Sequence, residues 1–68
     1  MQITAVLTPA EEGGYVVYNP ETGVTTQGET VDEAIANIKE AVELYLEDFP
    51  LPNHGPSLMT MVTISANA

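Results

Sequence analysis

The chain contains no cysteine and no tryptophan, and it has one histidine, one phenylalanine and a single cationic side chain, Lys39. Without cysteine, neither a disulfide framework nor a thiolate zinc centre can stabilise a small fold. One lysine against ten carboxylates, a net charge of −9, cannot neutralise a run of nucleic-acid phosphates, so direct nucleic-acid binding is not expected. No stretch approaches the roughly 20 apolar residues that cross a bilayer. The start, Met1-Gln2-Ile3-Thr4, lacks the basic region and apolar core of a signal peptide, and the expectation is a soluble, cytoplasmic protein. Gly13, Gly14, Gly23, Gly28 and Gly55 match no phosphate-loop or dinucleotide spacing.

What is present is patterned apolar sequence. The 68 residues are 44% hydrophobic, which suits one small folded domain over residues 1–68 rather than a disordered acidic chain. A chain of this length buries only about 60% of its unfolded surface, so a homodimer or higher oligomer is expected.

Gln2 to Thr8 alternates, with Ile3, Ala5 and Leu7 on one side, and predicts a half-buried strand ended by Pro9. Tyr15-Val16-Val17-Tyr18, apolar on both faces, suits a central strand. Asn19-Pro20-Glu21-Thr22-Gly23 has turn chemistry, and Val24 to Gln27 makes a third strand, polar enough for an edge. The short connections make an antiparallel meander. Thr30-Val31-Asp32-Glu33 reads as a capping box. From it, Val31, Ala34, Ile35, Ile38, Val42, Tyr45 and Phe49 recur at helical spacing, until Pro50 and Pro52 end the helix near Asp48.

Leu58 to Ala66 alternates again and predicts a fourth strand, which a right-handed crossover would lay parallel beside the first. The expected fold is therefore α+β, in the order β-β-β-α-β, with sheet order 3-2-1-4 and the helix on one face. One helix leaves the other sheet face open. Val6, Met59 and Met61, with either the Val16/Tyr18 or the Tyr15/Val17 pair, would populate it as an oligomer interface or as ordinary scattered surface hydrophobics.

The chemistry of catalysis is sparse. His54 is the lone imidazole, in a Pro-flanked loop, and reads as a surface histidine rather than a metal ligand or general base, while no serine stands with a histidine and a carboxylate in an arrangement that suggests a triad. The strand order is that of the first part of a ribonuclease H-like fold, whose two-metal nucleases carry carboxylates on the first strand, the helix and the fourth strand. Residues 2–8 and 58–66 contain no Asp or Glu, so no enzyme activity, metal or cofactor is expected. The charge gathers on the helix instead. At about 100° per residue, Glu33, Glu40, Glu43 and Glu47 share the face opposite the apolar stripe, with Leu44 among them and only Lys39 nearby. Such a face either keeps a protein soluble or docks a basic partner.

From Gly14 to Glu47 the chain resembles the HicB-like (UPF0150-like) antitoxins of type II toxin–antitoxin systems. The resemblance rests on Tyr15, Pro20 and Gly23, on Thr26-Gln27-Gly28-Glu29-Thr30, and on Glu33-Ala34, Asn37 and Glu40-Ala41, in that order and spacing. It implies a degenerate ribonuclease H-like fold. It also implies a partner, a small basic HicA-like toxin that cleaves mRNA with a histidine and whose active surface the antitoxin covers. Glu33, Glu40, Glu43, Leu44 and Glu47 are then the candidate partner-binding residues. Many members of that family carry a C-terminal operator-binding domain. This sequence stops at Ala68, so a minimal antitoxin without direct operator binding is expected. The alternative is a solitary oligomeric protein, structural or binding a small molecule, without a toxin.

Overall fold

The computed structural model describes residues 1–51 and 55–66. His54 and Pro52 lie outside them, as does the end of the chain. Three strands, β1 (Val6–Pro9), β2 (Tyr15–Tyr18) and β3 (Thr25–Gly28), precede one helix, α1 (Val31–Asp48). The strands form an antiparallel sheet in the order β1-β2-β3, with Val6 opposite Tyr18 and Val17 opposite both Leu7 and Thr26. The central place of β2 follows from its sequence: Val17 is buried on one face while Val16 and Tyr18 project from the other. That assigns the outer face to Val16 and Tyr18, next to Val6 and Thr8 of β1.

β1 begins four residues later than the alternation from Gln2 predicts. Its partner runs out: Tyr18 faces Val6, and beyond Tyr18 the chain turns at Asn19-Pro20. Residues before Val6 find no ladder there, and side chains of the turn take them up instead. The turn itself closes through Asn19 N–H to the Val24 carbonyl (2.9 Å) and Gly23 N–H to the Asn19 carbonyl (2.8 Å). Gly23 has φ of +82°, a conformation that side chains with a Cβ rarely adopt.

The helix starts as its capping box directs. The Thr30 hydroxyl accepts from Glu33 N–H at 3.1 Å, and the Glu33 carboxylate reaches back to Glu29 N–H, one residue further than the cap itself, also at 3.1 Å. Asp32 and Glu33 in the first turn meet the favourable end of the helix dipole. Phe49 closes the helix, its N–H bonded to the Tyr45 carbonyl and its ring 4.9 Å from that of Tyr45.

α1 packs chiefly over β3 and β2. The core is Val17, Ala34, Ile38 and Val42, flanked by Ile3, Ala5, Leu7, Tyr15, Val24 and Leu46. The expected stripe therefore needs a correction. Val31, Ile35 and Phe49 are exposed, and Leu46, left out of the stripe, packs against the core. The sheet is short and the helix crosses only part of it, so the buried arc is narrower than the apolar spacing suggests. Asn37 ties the helix to the β3 edge through its Nδ2, 2.7 Å from the Gln27 carbonyl.

The predicted fourth strand is a second correction. Among the described residues the sheet has three strands, and 58–66 forms neither strand nor helix. The order 3-2-1 holds without the fourth position. Residues 58–66 are exposed throughout. The radius of gyration is 14.0 Å, against about 11 Å for a compact chain of this length. Alternation specifies which residues share a face, but it does not supply a partner for the backbone.

Among the described residues one buried side-chain polar atom is unpaired: the Thr26 hydroxyl, opposite Val17. Replacing it with a methyl removes a desolvated hydroxyl and keeps the β-branched shape. Thr26→Val should stabilise the domain by about 0.5–1.5 kcal/mol in urea unfolding. A loss of stability would mean the hydroxyl is satisfied.

Candidate functional site

The outer face of α1 is where the chain concentrates its charge. Glu40, Glu43, Leu44 and Glu47 are all exposed there, Leu44 at 59%. No basic residue stands in the last helical turn to offset Glu47 and Asp48 at the unfavourable end of the dipole. Glu33 is also exposed, but its carboxylate is engaged in the cap, so it is set apart from the others by its structural duty. The arrangement is an acidic surface with an apolar residue at its centre.

At the other end of the helix, a polar cavity of about 340 Å³ opens between the Ala10–Gly13 turn, Tyr15, the Gln27–Glu29 segment and Glu33. Glu12, Glu29 and Glu33 are among the residues that line it. The sequence offered no sign of this hollow, because its walls come from the β1–β2 turn, the end of β3 and the helix start.

The expected self-association residues are not brought together. Val6 is half-buried on the outer sheet face, whereas Met59 and Met61 lie on the exposed 58–66 segment, which is not part of the sheet. Met61 is 95% exposed.

Sequence reasoning treated Asn19-Pro20-Glu21-Thr22 as turn chemistry and missed its larger role. Asn19 is fully buried. Its Nδ2 donates to the Thr4 carbonyl (2.8 Å) and Glu21 Oε1 (2.7 Å), and its Oδ1 accepts from Thr22 N–H (2.9 Å) and the Thr22 hydroxyl (2.6 Å). Glu21 in turn accepts from Thr4 N–H (2.6 Å), the Thr4 hydroxyl (2.8 Å) and Ser57 N–H (2.7 Å). The Thr4 hydroxyl also has the Ser57 carbonyl at 3.1 Å. Desolvation raises the Glu21 pKa, but the hydrogen bonds from the Thr4 and Ser57 backbones and side chains outweigh it and hold the carboxyl at about 2. Only the Asn-Pro and Thr-Gly turn signals were visible beforehand; the reach to Thr4 and Ser57 spans too much sequence for any local pattern.

The fold and site define a small acidic α+β protein: a three-stranded antiparallel sheet under one capped helix, with a carboxylate-rich outer face. A family model described as a family of unknown function (DUF7387) matches residues 4–60. UPF0150 protein Ta0767 of Thermoplasma acidophilum is 44% identical over 54 residues, 78% of each chain. A UPF0150 protein of Helicobacter pylori is 47% identical over 49 residues, 71% of this chain and 67% of its own length. UPF0150 protein ssl0738 of Synechocystis is 44% identical over 48 residues, 69% of this chain and 67% of its own. The chain belongs to the UPF0150 proteins and to this family of unknown function. No solved structure matches it. Among the described residues, no helix is long and apolar enough to cross a membrane.

Proposed function

We propose that the protein is a HicB-like antitoxin: a cytoplasmic binding protein that neutralises a small basic HicA-like mRNA-cleaving toxin by covering its active surface. The observation that carries this reading is the exposed acidic face of α1, with Glu40, Glu43 and Glu47 around Leu44. Such a face attracts a basic partner over several ångströms and offers an apolar residue once contact is made. The strand–strand–strand–helix order agrees with the opening of a ribonuclease H-like fold, and strands β1 to β3 hold no carboxylate for a two-metal centre. The resemblance supplies the toxin class.

Co-expression with a small basic protein encoded beside it should rescue growth and yield a stable complex; no complex at micromolar concentration would sink the reading. Within it, reversing Glu40, Glu43 and Glu47 together to lysine should lower the association rate at least tenfold at low salt and flatten its salt dependence. Stopped-flow rates unchanged by the triple reversal would remove the helix face from the mechanism.

A second reading, a solitary protein that binds a small molecule, is favoured by the polar cavity near Glu12, Glu29 and Glu33. Its carboxylates suit a small cationic ligand. Binding of a polyamine that is lost in Glu12→Gln, without any toxin partner, would select this reading.

A further inference from the structure

An alternating, apolar segment that is exposed along its whole length is unusual in a chain this short. Leu58 is 96% exposed, Val62 76% and Ile64 77%. Residues 57–66, Ser-Leu-Met-Thr-Met-Val-Thr-Ile-Ser-Ala, carry no charge and no proline, the two devices that normally keep a strand from pairing with another chain. The segment is not loosely attached. Ser57 is held by Glu21 and Thr4, so residues 58–66 leave the domain from a defined point beside the start of β1.

The complementary surface is on the same molecule. β1 is an edge strand, bonded to β2 on one side only. Its sequence from Gln2 to Pro9 is also uncharged. Between the residues that lead into β1 and the second half of α1, a groove of about 220 Å³ is lined by Met1, Ile3, Lys39, Val42, Glu43 and Leu46. A strand added to the β1 edge would lay alternate side chains into that groove, level with Ile3 and Leu7. Nine extended residues span about 30 Å, enough to run the length of residues 3–9.

We infer that residues 58–66 are an intersubunit strand, which adds to the β1 edge of a second copy of this chain and places Leu58, Val62 and Ile64 against its Ile3, Val42 and Leu46. Charge selects a second copy over a basic partner. Two chains each carrying −9 repel least where carboxylates are few; both strands are uncharged, and in the groove the one carboxylate, Glu43, stands with Lys39. A basic partner would be drawn to the acidic face of α1 instead. Reciprocal exchange gives a closed two-fold dimer with both edges used. It restores the 3-2-1-4 order in trans and leaves Glu40, Leu44 and Glu47 of the outer face of α1 free, with Glu43 at the rim of the groove. The inference stands apart from the antitoxin reading, and the failure of either leaves the other intact.

The absence of cysteine makes the test clean. Sedimentation equilibrium of the full chain should give a dimer, and Val62→Lys with Ile64→Lys should weaken it at least 100-fold. Circular dichroism should be unchanged, because neither side chain packs within its own chain. A monomer at all accessible concentrations, or a dimer indifferent to the double substitution, overturns the inference. In a Thr8→Cys/Thr63→Cys variant, a short bifunctional thiol reagent should join two chains. Closure within one chain would mean the segment folds back on its own β1. Linkage in the Thr63→Cys variant alone would mean the segments pair with each other. Either result overturns the placement.

Discussion

Replacing Gly28 by alanine is expected to destabilise the domain by about 3 kcal/mol, enough to leave much of a chain this short unfolded. The cause is space. A Cβ at Gly28 would meet the Ala34 backbone nitrogen at 2.5 Å and its Cα at 2.8 Å. These are backbone atoms in the first turns of α1, so no side chain can swing away. Relief requires lifting the helix from β3, which uncovers Ala34 and Ile38. The same column continues on the other side: a Cβ at Gly14 would approach the Gly28 carbonyl to 2.7 Å, at a residue whose φ is already +74°.

Gly23 provides the control. It has open space around its missing Cβ and only the positive φ to oppose a side chain. Gly23→Ala should cost about 1–2 kcal/mol from backbone strain alone. Urea denaturation of the two variants checks the argument: equal losses would show that crowding at Ala34 is not what Gly28 avoids.

Asn19→Ala should cost about 2–4 kcal/mol at neutral pH, the second large effect. Asn19 is buried and uses all four of its side-chain hydrogen-bonding positions. Truncation leaves the Thr4 carbonyl, the Thr22 groups and one oxygen of Glu21 short of partners. It also detaches the segment before β1, because Thr4 is held there by this turn and not by a strand ladder.

Glu21 makes that clamp pH-dependent. Its pKa falls from 4.5 to about 2 in the folded chain, so folding favours the ionised carboxylate. The stabilisation is complete above pH 4.5 and is lost as the pH falls from there through about 2. With solvent screening on a half-buried group, its size is on the order of 1–2 kcal/mol. Comparison with Glu21→Gln isolates this effect from the other nine carboxylates, whose protonation lowers the net repulsion in both proteins alike. The stability difference should be present at pH 6 and shrink towards pH 2 to 3. A difference independent of pH would assign the loss to geometry rather than charge.

The residues behind the family resemblance are accounted for largely by the fold. Gly23 shapes a turn, Gly28 admits the helix, Thr30 and Glu33 cap it, Ala34 packs on Gly28, and Asn37 fastens the helix to β3. A motif of this kind marks a fold before it marks an activity. The candidate partner surface lies on residues that do little structurally: Glu40, Glu43, Leu44 and Glu47. Their exposure was legible from helical periodicity, since a capped helix with one apolar stripe must turn its opposite face to water.

Local chemistry was enough to determine the three strands, their meander, the helix, its cap and its acidic face. Each depends on residues within a few positions of one another, through alternation, turn glycines and i, i+3 hydrogen bonding. What only the tertiary structure decided depends on distant backbones meeting. The short length of β1, the clamp from Glu21 to Thr4 and Ser57, the narrow core around Ile38, and the unpaired 58–66 segment belong to that class. The scarcity of positive charge made direct nucleic-acid binding unexpected from composition alone. The proposed assembly draws instead on placement: the carboxylates crowd α1 and the turns, while β1 and residues 58–66 are bare of charge, and two copies of an acidic chain repel least through segments that carry none.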